Sequence, residues 1–457
     1  SGSDSSIGTS TSGSLTSIGT STSGSLTTIT TASQLQPFEQ AVRRESETAS
    51  SNQVLQTVTF QNQNQAEINI GQKLGNGAFG AAYKATNVQN GEEKALKYNF
   101  QLLESQNSAL GRPNLITQAN GQVKVPGEVY GMTLAHPHIL SVEGVVTQNP
   151  SGHEYWNKEN LDINSMMDKE LRMSVSPFVS GGDAGRFLKS NNPIENQLFP
   201  VLLQMADGVS YIHRNGMLHG DLKPDNIFVD NNGNVKVGDL GSLQPQMGTE
   251  HIRGGRFANG YAAPECYANK RKRDQKSDAF SFGITACEMA LGKSVTSDFE
   301  KATWSSKMKE LAQNNPDGSY LDYKLSDADK AKLDADYPGL RPLLNELTMI
   351  NPFKRISVEQ FQEKLQQYAN AFAFGITVCE WALETQLSDD LGGANSSLVT
   401  HNNNPDGSYL DYKLSDADKA KLDADHPGLR PLLYDLTTVN PFKRISVGGF
   451  IAKWFDQ

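Results

Sequence analysis

The chain has 457 residues and, with 41 basic against 51 acidic side chains, a formal net charge of −10. This balance argues against a nucleic-acid-binding protein, which needs clustered positive charge, and a hydrophobic fraction of 37% is low for a chain that folds along its whole length. The three cysteines, Cys266, Cys287 and Cys379, fit neither a disulfide framework nor a zinc motif, and no apolar run reaches the roughly 18 residues of a transmembrane helix.

Residues 1–50 are predicted to be a disordered arm rich in serine, threonine and glycine. The unit SIGTSTSGSLT occurs at 6–16 and again at 17–27, and the first basic residues are Arg43 and Arg44. So little apolar surface cannot offset the entropy lost on ordering, and the basic start and apolar stretch of a secretory signal are absent. We interpret the arm as a passive linker, with a secretion signal or a cluster of phosphorylation sites as the alternatives.

Alternating apolar runs separated by glycine and asparagine predict that order begins near Ile68, with strands up to about residue 100. Within them, IGQKLGNGAFGAAYKA has the GxGxxG spacing, in which glycines let backbone N–H groups approach phosphate oxygens. A Rossmann loop opens directly into a helix, whereas this loop continues as a strand, and a second strand then carries Lys97. We therefore expect a lid over a nucleoside triphosphate rather than a dinucleotide site or a hairpin without a ligand. The lid residues are Gly75, Asn76, Gly77, Ala78, Phe79 and Gly80.

Beyond about residue 184 the apolar periodicity becomes helical, and three motifs follow in order: HGDLKPDN at 219–226, VKVGDLGS at 235–242 and AAPE at 262–265. Together with the glycine-rich loop, they resemble the eukaryotic-type protein kinases over residues 68–367. The resemblance implies an α+β, bilobal protein-kinase fold with a β-rich N-lobe and a helical C-lobe. We place the kinase domain at 51–367, with the N-lobe at about 66–180 and the C-lobe at about 181–367.

The resemblance assigns ATP- and Mg²⁺-dependent phosphoryl transfer to this domain, a reaction that depends mostly on positioning and charge neutralisation. Asp221 would accept the proton of the attacking hydroxyl. Lys223, in the pattern of serine/threonine kinases, would reach the γ-phosphate. Asn226 and Asp239 would supply oxygen ligands to Mg²⁺, and Lys97 would contact the α- and β-phosphates.

The resemblance also assigns a partner to Lys97 and an adenine pocket. Glu128, eight residues before His136, is the best ion-pair partner for Lys97 on the helix that follows. The segment LRMSVSPFVSGGD at 171–183 is similar to the strand and hinge that hold adenine. Proline lacks an N–H, but the family uses only the carbonyl of the first hinge residue and the N–H of the third. The nucleotide-site residues of this region are Ala82 over the base, the gatekeeper Ser176, the hinge residues Pro177 and Val179, and Asp183.

Three departures from the family pattern bear on regulation and specificity. Gly220 replaces an arginine that binds a phosphate on the activation segment, so we do not expect control by activation-loop phosphorylation. Leu240 replaces a phenylalanine and should still be packed in the core, and Ala258 replaces a threonine, which bears on the substrate class.

Asp278 and Arg355 are expected to be buried and structural. Arg355 is expected to pair with Glu265, the glutamate of the AAPE motif.

Residues 316–358 recur at 405–447 with five substitutions, and AFSFGITACEMAL at 279–291 recurs as AFAFGITVCEWAL at 371–383. The second copy contains no catalytic loop and no activation segment. We therefore predict that 368–457 is a helical partial repeat of the C-lobe and not a second kinase. Two copies are too few for a solenoid. Three roles are possible for this tail. It is an inert product of a recent duplication, a protein-interaction module, or a regulatory element that competes with the first copy for the base of the C-lobe.

The leading hypothesis is a serine/threonine protein kinase that uses ATP and Mg²⁺ and acts on a protein substrate. The alternatives are a kinase-like scaffold with little catalysis that acts through its tail, and an enzyme that transfers another group, such as AMP, from ATP. We expect a cytoplasmic protein without nucleic-acid partners or a transmembrane segment. The irregular motifs and polar N-terminus resemble kinases that bacteria inject into host cells, an analogy at the level of the fold alone. The basic run KRKRDQK at 270–276 is interpreted as a solvated loop.

Overall fold

A computed structural model describes a large part of the chain. The described residues are 28–29, 56–60, 66–77, 80–99, 117–119, 122–124, 126–149, 152–159, 161–162, 165–166, 170–189, 198–246, 260–267, 273–296, 301–384, 407–438 and 440–455. The predictions for Ala78, Phe79 and Ala258, and for the arm apart from Thr28 and Ile29, lie outside these residues.

Long strands occupy the first part of the described chain and long helices the second. The strands are β1 (Thr28–Ile29), β2 (Gln56–Phe60), β3 (Ala66–Gly77), β4 (Gly80–Asn87), β5 (Glu93–Asn99), β6 (Thr117–Ala119), β7 (Gln122–Lys124), β8 (Gly144–Asn149), β9 (Gly152–Asn157), β10 (Glu170–Pro177), β11 (Met217–Leu218), β12 (Ile227–Val229), β13 (Val235–Val237) and β14 (Gln244–Pro245). The helices are α1 (Gly127–Gly131), α2 (Ala184–Lys189), α3 (Leu198–Arg214), α4 (Gln275–Leu291), α5 (Lys301–Asn314), α6 (Tyr320–Lys324), α7 (Asp327–Asp336), α8 (Leu340–Leu347), α9 (Val358–Leu383), α10 (Tyr409–Lys413), α11 (Asp416–Asp425), α12 (Leu429–Leu436) and α13 (Val447–Phe455).

The N-lobe is an eight-stranded sheet in the order β1-β2-β3-β4-β5-β10-β8-β9. The pairings are antiparallel except for β1 with β2. Alternate side chains of a strand share one face, and the shared face of this sheet forms a core of its own. Its buried residues are Ile68, Ile70, Ala81, Tyr83, Ala85, Leu96, Tyr98, Val146, Met173 and Val175.

Order begins earlier in the chain than predicted. Strand β2 pairs with β3, Gln56 opposite Ile70 and Phe60 opposite Ala66, and β1 pairs with β2 in turn. The prediction that order begins near Ile68 is therefore wrong. Without β2, β3 would be an edge strand with a row of unpaired backbone N–H and C=O groups, and β2 supplies their partners.

The C-lobe is built around α3 and α4. The apolar face predicted for α3 is buried: Leu198, Val201, Leu202, Met205, Val209 and Ile212. Helix α4 begins at a capping box between Asp274 and Ser277 and ends at Gly292, whose φ of 66° suits a residue without a Cβ. This arrangement of a sheet-rich N-lobe and a helical C-lobe confirms the predicted fold class. None of the described helices is long and apolar enough to cross a membrane.

Helix α9 joins the two copies of the repeat without a break. It begins at a capping box between Ser357 and Gln360 and continues for 26 residues to Leu383. The predicted domain boundary at 367/368 falls inside this helix. The helix thus continues across the predicted boundary. The division of the chain into a kinase domain at 51–367 and a tail at 368–457 stays a prediction.

The second copy repeats the close helix packing of the first. A Cβ added to Gly283 would lie 2.7 Å from the side chain of Thr348, and one added to Gly375 would lie 2.7 Å from that of Thr437. These glycines and threonines occupy aligned positions of the two copies. The core of the second copy contains Ala371, Ile376, Cys379, Ala382, Leu383, Leu410, Leu414, Leu422, Leu429, Leu432, Leu433, Leu436 and Phe450.

Candidate active site

The glycine-rich lid and Lys97 lie on three neighbouring strands. Gly75 of β3 is opposite Ala82 of β4, and Gly77 is opposite Gly80 at the end of the hairpin. Ala82 is in turn opposite Lys97 of β5. The antiparallel register therefore brings the lid strands, the predicted base-covering residue and the predicted phosphate-binding lysine together.

Lys97 joins two carboxylates from distant parts of the chain. Its Nζ donates a hydrogen bond to Asp239 Oδ1 and lies 4.0 Å from Glu128 Oε1. Burial disfavours the charged lysine, but the charges of Asp239 and Glu128 outweigh it and raise the pKa of Lys97. Burial also raises the pKa of Glu128, whereas at Asp239 the charge of Lys97 outweighs burial and lowers the pKa. Lys97 is thus a fixed positive charge, and the predicted ion pair with Glu128 is present.

Glu128 lies in the first turn of α1, a helix of only five residues whose backbone is packed tightly against the DLG segment. A Cβ added to Gly127 would lie 2.3 Å from the carbonyl oxygen of Leu240 and 2.6 Å from the nitrogen of Leu243. Backbone atoms cannot move aside as the tip of a side chain can, so only glycine fits at this position. The helix that carries Glu128 and the segment that follows Asp239 therefore fix each other's position.

The catalytic loop gathers Asp221, Lys223 and Asn226. The side-chain Nδ2 of Asn226 donates to the backbone carbonyl oxygen of Asp221 at 2.6 Å and to Asp221 Oδ2 at 3.0 Å. Lys223 Nζ lies 3.3 Å from the same Oδ2. A 3₁₀ turn at Pro224–Asn226 folds the loop back on itself and so makes these contacts possible.

Asn226 and Asp239 offer oxygen atoms that suit Mg²⁺. Because the side-chain Nδ2 of Asn226 faces Asp221, the side-chain Oδ1 of Asn226 faces away from Asp221 and can coordinate a cation. Asp239 follows β13 with a left-handed φ of 51°, and its lowered pKa keeps it ionised at neutral pH. Within the described ranges, no group of three or more His, Cys, Asp or Glu side chains could hold a metal by itself. A cation at this site would therefore also need oxygens from a phosphate ligand.

Asp278 anchors the catalytic loop to α4, as predicted. Its Oδ2 accepts from the N–H of His219 at 2.8 Å and its Oδ1 from the N–H of Gly220 at 2.9 Å. His213 Nε2 lies 2.9 Å from Asp278 Oδ2. Burial opposes the charge of this carboxylate, but the contact with His213 outweighs it and lowers the pKa of Asp278. His219 Nε2 lies 2.9 Å from the carbonyl oxygen of Gly238, which ties the catalytic loop to the segment that carries Asp239.

The predicted adenine pocket lies where β10 ends. Ser176 and Pro177 are the last residues of this strand and pair with β5, and Val179 lies in the connection to α2. Asp183 precedes α2, where its Oδ1 accepts from the N–H of Arg186 at 3.2 Å. The roles of these residues toward a nucleotide stay predictions.

Two of the departures from the family pattern can be located. Leu240 is buried, as predicted. Gly220 has a φ of 76°, and a Cβ there would lie 3.1 Å from Nη1 of Arg273. Arg273 therefore occupies the space beside the catalytic loop, and the interpretation of the run at 270–276 as a solvated loop does not hold for this residue. The sequence features at this contact are a glycine directly before Asp221 and a basic run shortly before Asp278.

Two carboxylates hold the segment around the AAPE motif. Glu265 accepts from both Nη atoms of Arg355, at 2.6 and 3.1 Å, which confirms the predicted pair. Glu288 of α4 accepts from the hydroxyl of Tyr261 at 2.6 Å and from the N–H of Val295 at 2.7 Å. No local pattern in the sequence predicts this role of Glu288, because a glutamate in an apolar helix has no local signal for a partner in a distant loop.

Comparisons with known proteins agree with this geometry. A family model described as a protein kinase domain matches residues 68–366. The mitogen-activated protein kinase kinase kinase ANP1 of Arabidopsis thaliana is 29% identical over 297 residues, which are 62% of this chain and 39% of that protein. The putative serine/threonine-protein kinase L673 of Acanthamoeba polyphaga mimivirus is 23% identical over 316 residues, 66% of this chain and 51% of that protein. The chain thus spans about half or less of these relatives.

Among solved structures, a chain of the CAK complex from Chaetomium thermophilum bound to ATP-gamma-S is similar over 65% of this chain and 89% of its own length. Its sequence identity is 16% and its TM-score is 0.48. The family model covers well over half of the chain and includes the lid, the catalytic loop and the DLG segment. The chain therefore belongs to the protein kinase family, as its motifs predicted.

Proposed function

We propose that this chain transfers the γ-phosphate of ATP to a serine or threonine hydroxyl of a protein substrate. The observation that carries the proposal is the assembly of one site from Lys97, Glu128, Asp221, Asn226 and Asp239. The lysine two residues after the catalytic aspartate, and a relative named as a putative serine/threonine-protein kinase, support the substrate class.

Glu128 would hold Lys97 in place, and the contacts of the other residues support a role for each of them in this reaction. The fixed charge of Lys97 would neutralise the α- and β-phosphates. As the substrate hydroxyl oxygen attacks the γ-phosphorus, the carboxylate of Asp221 would accept its proton, and the bond from the γ-phosphorus to the bridging oxygen would break to release ADP. Lys223 would neutralise charge on the transferred group. Mg²⁺, bound through Asn226 and Asp239, would supply charge neutralisation at the phosphate oxygens.

The proposal is tested by ATP turnover with a generic protein substrate and labelled ATP. We expect the wild type to transfer label only when Mg²⁺ is present, and Asp239→Ala to be slower by about 10²-fold or more, because it loses both a metal ligand and the partner of Lys97. Asp225→Ala, a change at an exposed carboxylate of the same loop, is the control. Equal, near-zero turnover by the wild type and Asp239→Ala would favour the scaffold hypothesis. The mass added to the substrate would distinguish phosphate from AMP.

Gly127→Ala is expected to lower kcat/KM for ATP by about 10²-fold, because its Cβ would push α1 off the DLG segment and separate Glu128 from Lys97. The matched control is Gly131→Ala in the same helix, where the nearest atom, at 2.9 Å, is the flexible tip of the Leu240 side chain. Steady-state kinetics of both variants provide the measurement. A Gly127→Ala enzyme within twofold of wild type would show that α1 is not held by this contact.

We also propose the cytoplasm as the site of action. Cys266, Cys287 and Cys379 are free, buried thiols, as is usual for proteins of a reducing compartment. Delivery into a host cell by bacteria stays a prediction from the fold analogy.

A further inference from the structure

The two copies of the repeat present the same short loop, Asn351–Arg355 in the first and Asn440–Arg444 in the second. In both, the asparagine Oδ1 accepts from the N–H of the phenylalanine at 3.0 Å, and the lysine N–H donates to the asparagine carbonyl at 3.0 Å. Yet Phe353 is 96% exposed and Phe442 only 3%. We call residues at aligned positions of the two copies twins. The twins Phe353 and Phe442 lie on loops of the same internal hydrogen bonding and differ in their surroundings.

Phe442 is buried because it inserts into an aromatic cup that includes Tyr337 of the first copy. The cup is formed by Phe199, Tyr337 and Tyr368, whose ring centroids lie 5.4, 5.6 and 6.0 Å from that of Phe442. Beside it, the side-chain amide of Asn440 donates to the carbonyl oxygen of Asp336 at 2.8 Å, at the end of α7. The loop of the second copy thus contacts the end of α7 in the first copy, together with Phe199 of α3 and Tyr368 of α9.

The second copy carries the twin of part of this cup, and an exposed aromatic residue lies beside it. His426 is the twin of Tyr337, and its ring lies 5.8 Å from the ring of Trp381. Trp381 is 71% exposed, whereas its twin Met289 is 2% exposed. Phe353 and Trp381 are the two most exposed large hydrophobic side chains of the described chain. Phe353 lies on the loop of the first copy, and Trp381 lies beside His426, the twin of the cup residue Tyr337.

We propose that the chain binds a second copy of itself head to tail, with Phe353 of one molecule against Trp381 and His426 of the next. The internal contact identifies the partner, because the same loop already binds the same position of the repeat within one chain. Repeating that contact places the first-copy loop against His426, the twin of Tyr337, and the neighbouring Trp381. Asn351 would then donate to the carbonyl oxygen of Asp425, as its twin does inside the chain.

This contact has two consequences for the assembly. Because the two surfaces differ, the interface is heterologous, so association does not stop at a dimer but produces rings or filaments. Because it centres on a few aromatic side chains, we expect it to be weak and dependent on concentration.

Sedimentation equilibrium of the full chain tests the proposal with Phe353→Ser, Trp381→Ser and a control, Val88→Ser, at a 43% exposed position of the N-lobe. We expect the mass of the wild type and of the control to rise beyond a dimer with concentration. Each of the two test variants should need at least about tenfold more protein for the same association, since burial of a large apolar side chain is lost. All three positions are exposed, so thermal unfolding should match the wild type.

An equimolar mixture of the two test variants provides the sharper measurement. Phe353→Ser keeps the acceptor and Trp381→Ser keeps the loop, so a single pairing remains and the mixture should form dimers and nothing larger. A wild type that stays monomeric at all concentrations would overturn the proposal. So would unchanged association of either test variant, or a mixture that either stays monomeric or grows beyond a dimer.

Discussion

Replacement of Asp221 by asparagine is expected to reduce kcat for phosphoryl transfer by about 10²–10⁴-fold, with ATP affinity changed only a few-fold. Asparagine has the same shape and can still accept the hydrogen bond that Asn226 donates to the side chain of residue 221. It cannot accept the proton of the substrate hydroxyl, and it loses the ion pair with Lys223. Chemistry should therefore fail while nucleotide binding through Lys97 persists.

Steady-state kinetics and calorimetric titration with ATP measure the two effects separately. Asp225→Asn is the matched control, because it makes the same chemical change at an exposed carboxylate of the same loop. An Asp221→Asn enzyme with at least half of the wild-type kcat would exclude Asp221 as the proton acceptor. Loss of ATP binding together with activity would point to collapse of the loop instead.

Arg355→Ala is expected to lower the free energy of unfolding by about 3–5 kcal/mol. The Arg355 side chain is 0% exposed and pairs with the Glu265 carboxylate, which is 15% exposed. It also donates to the carbonyl oxygens of Lys276 and Met349, at 2.7 and 2.8 Å. Removing it leaves a carboxylate and several carbonyl groups without a donor in a region closed to water. Urea unfolding followed by circular dichroism measures the change.

Two comparisons show whether the buried ion pair is the cause. Arg341→Ala removes a partly exposed arginine that pairs with Asp334, and should cost less than about 1 kcal/mol. The double variant Arg355→Met with Glu265→Met should lose less stability than the sum of the two single changes, because no unpaired charge remains. Additive effects, or a loss below 1 kcal/mol for Arg355→Ala, would contradict the structural role given to this pair.

The continuity of α9 changes how a regulatory role of the tail can be tested. A truncation after Gln367 would divide α9, remove Tyr368 from the aromatic cup and uncover Phe199 and Tyr337. A change in activity of such a truncated chain would therefore mix lost regulation with lost stability. Substitutions on the surface of the tail, such as Trp381→Ser, leave the helix intact and separate the two effects.

The sequence predicted the bilobal fold, and its motifs predicted which residues the structure brings together, because the chemistry of this family constrains residue identity. An oxygen ligand for Mg²⁺, a proton acceptor and a phosphate-binding lysine each permit few side chains, and the short loops that carry them fix their spacing. The apolar periodicity of α3 likewise predicted the face that is buried. The pairing of β2 with β3 was missed. The segment QTVTF at 56–60 alternates threonine with valine and phenylalanine, but it is short and lies between stretches rich in glutamine and asparagine.

Only the tertiary structure decided what surrounds these elements. The sequence gives no sign that Gly127 abuts the backbone of Leu240, because two segments far apart in the chain meet there. The clearest case is the loop NPFKR, whose sequence and internal hydrogen bonds are the same in both copies. Its asparagine cap is a local interaction, so sequence alone determines the shape of the loop. Burial of its phenylalanine depends on contact with a distant surface, so Phe442 lies in an aromatic cup while Phe353 lies in solvent.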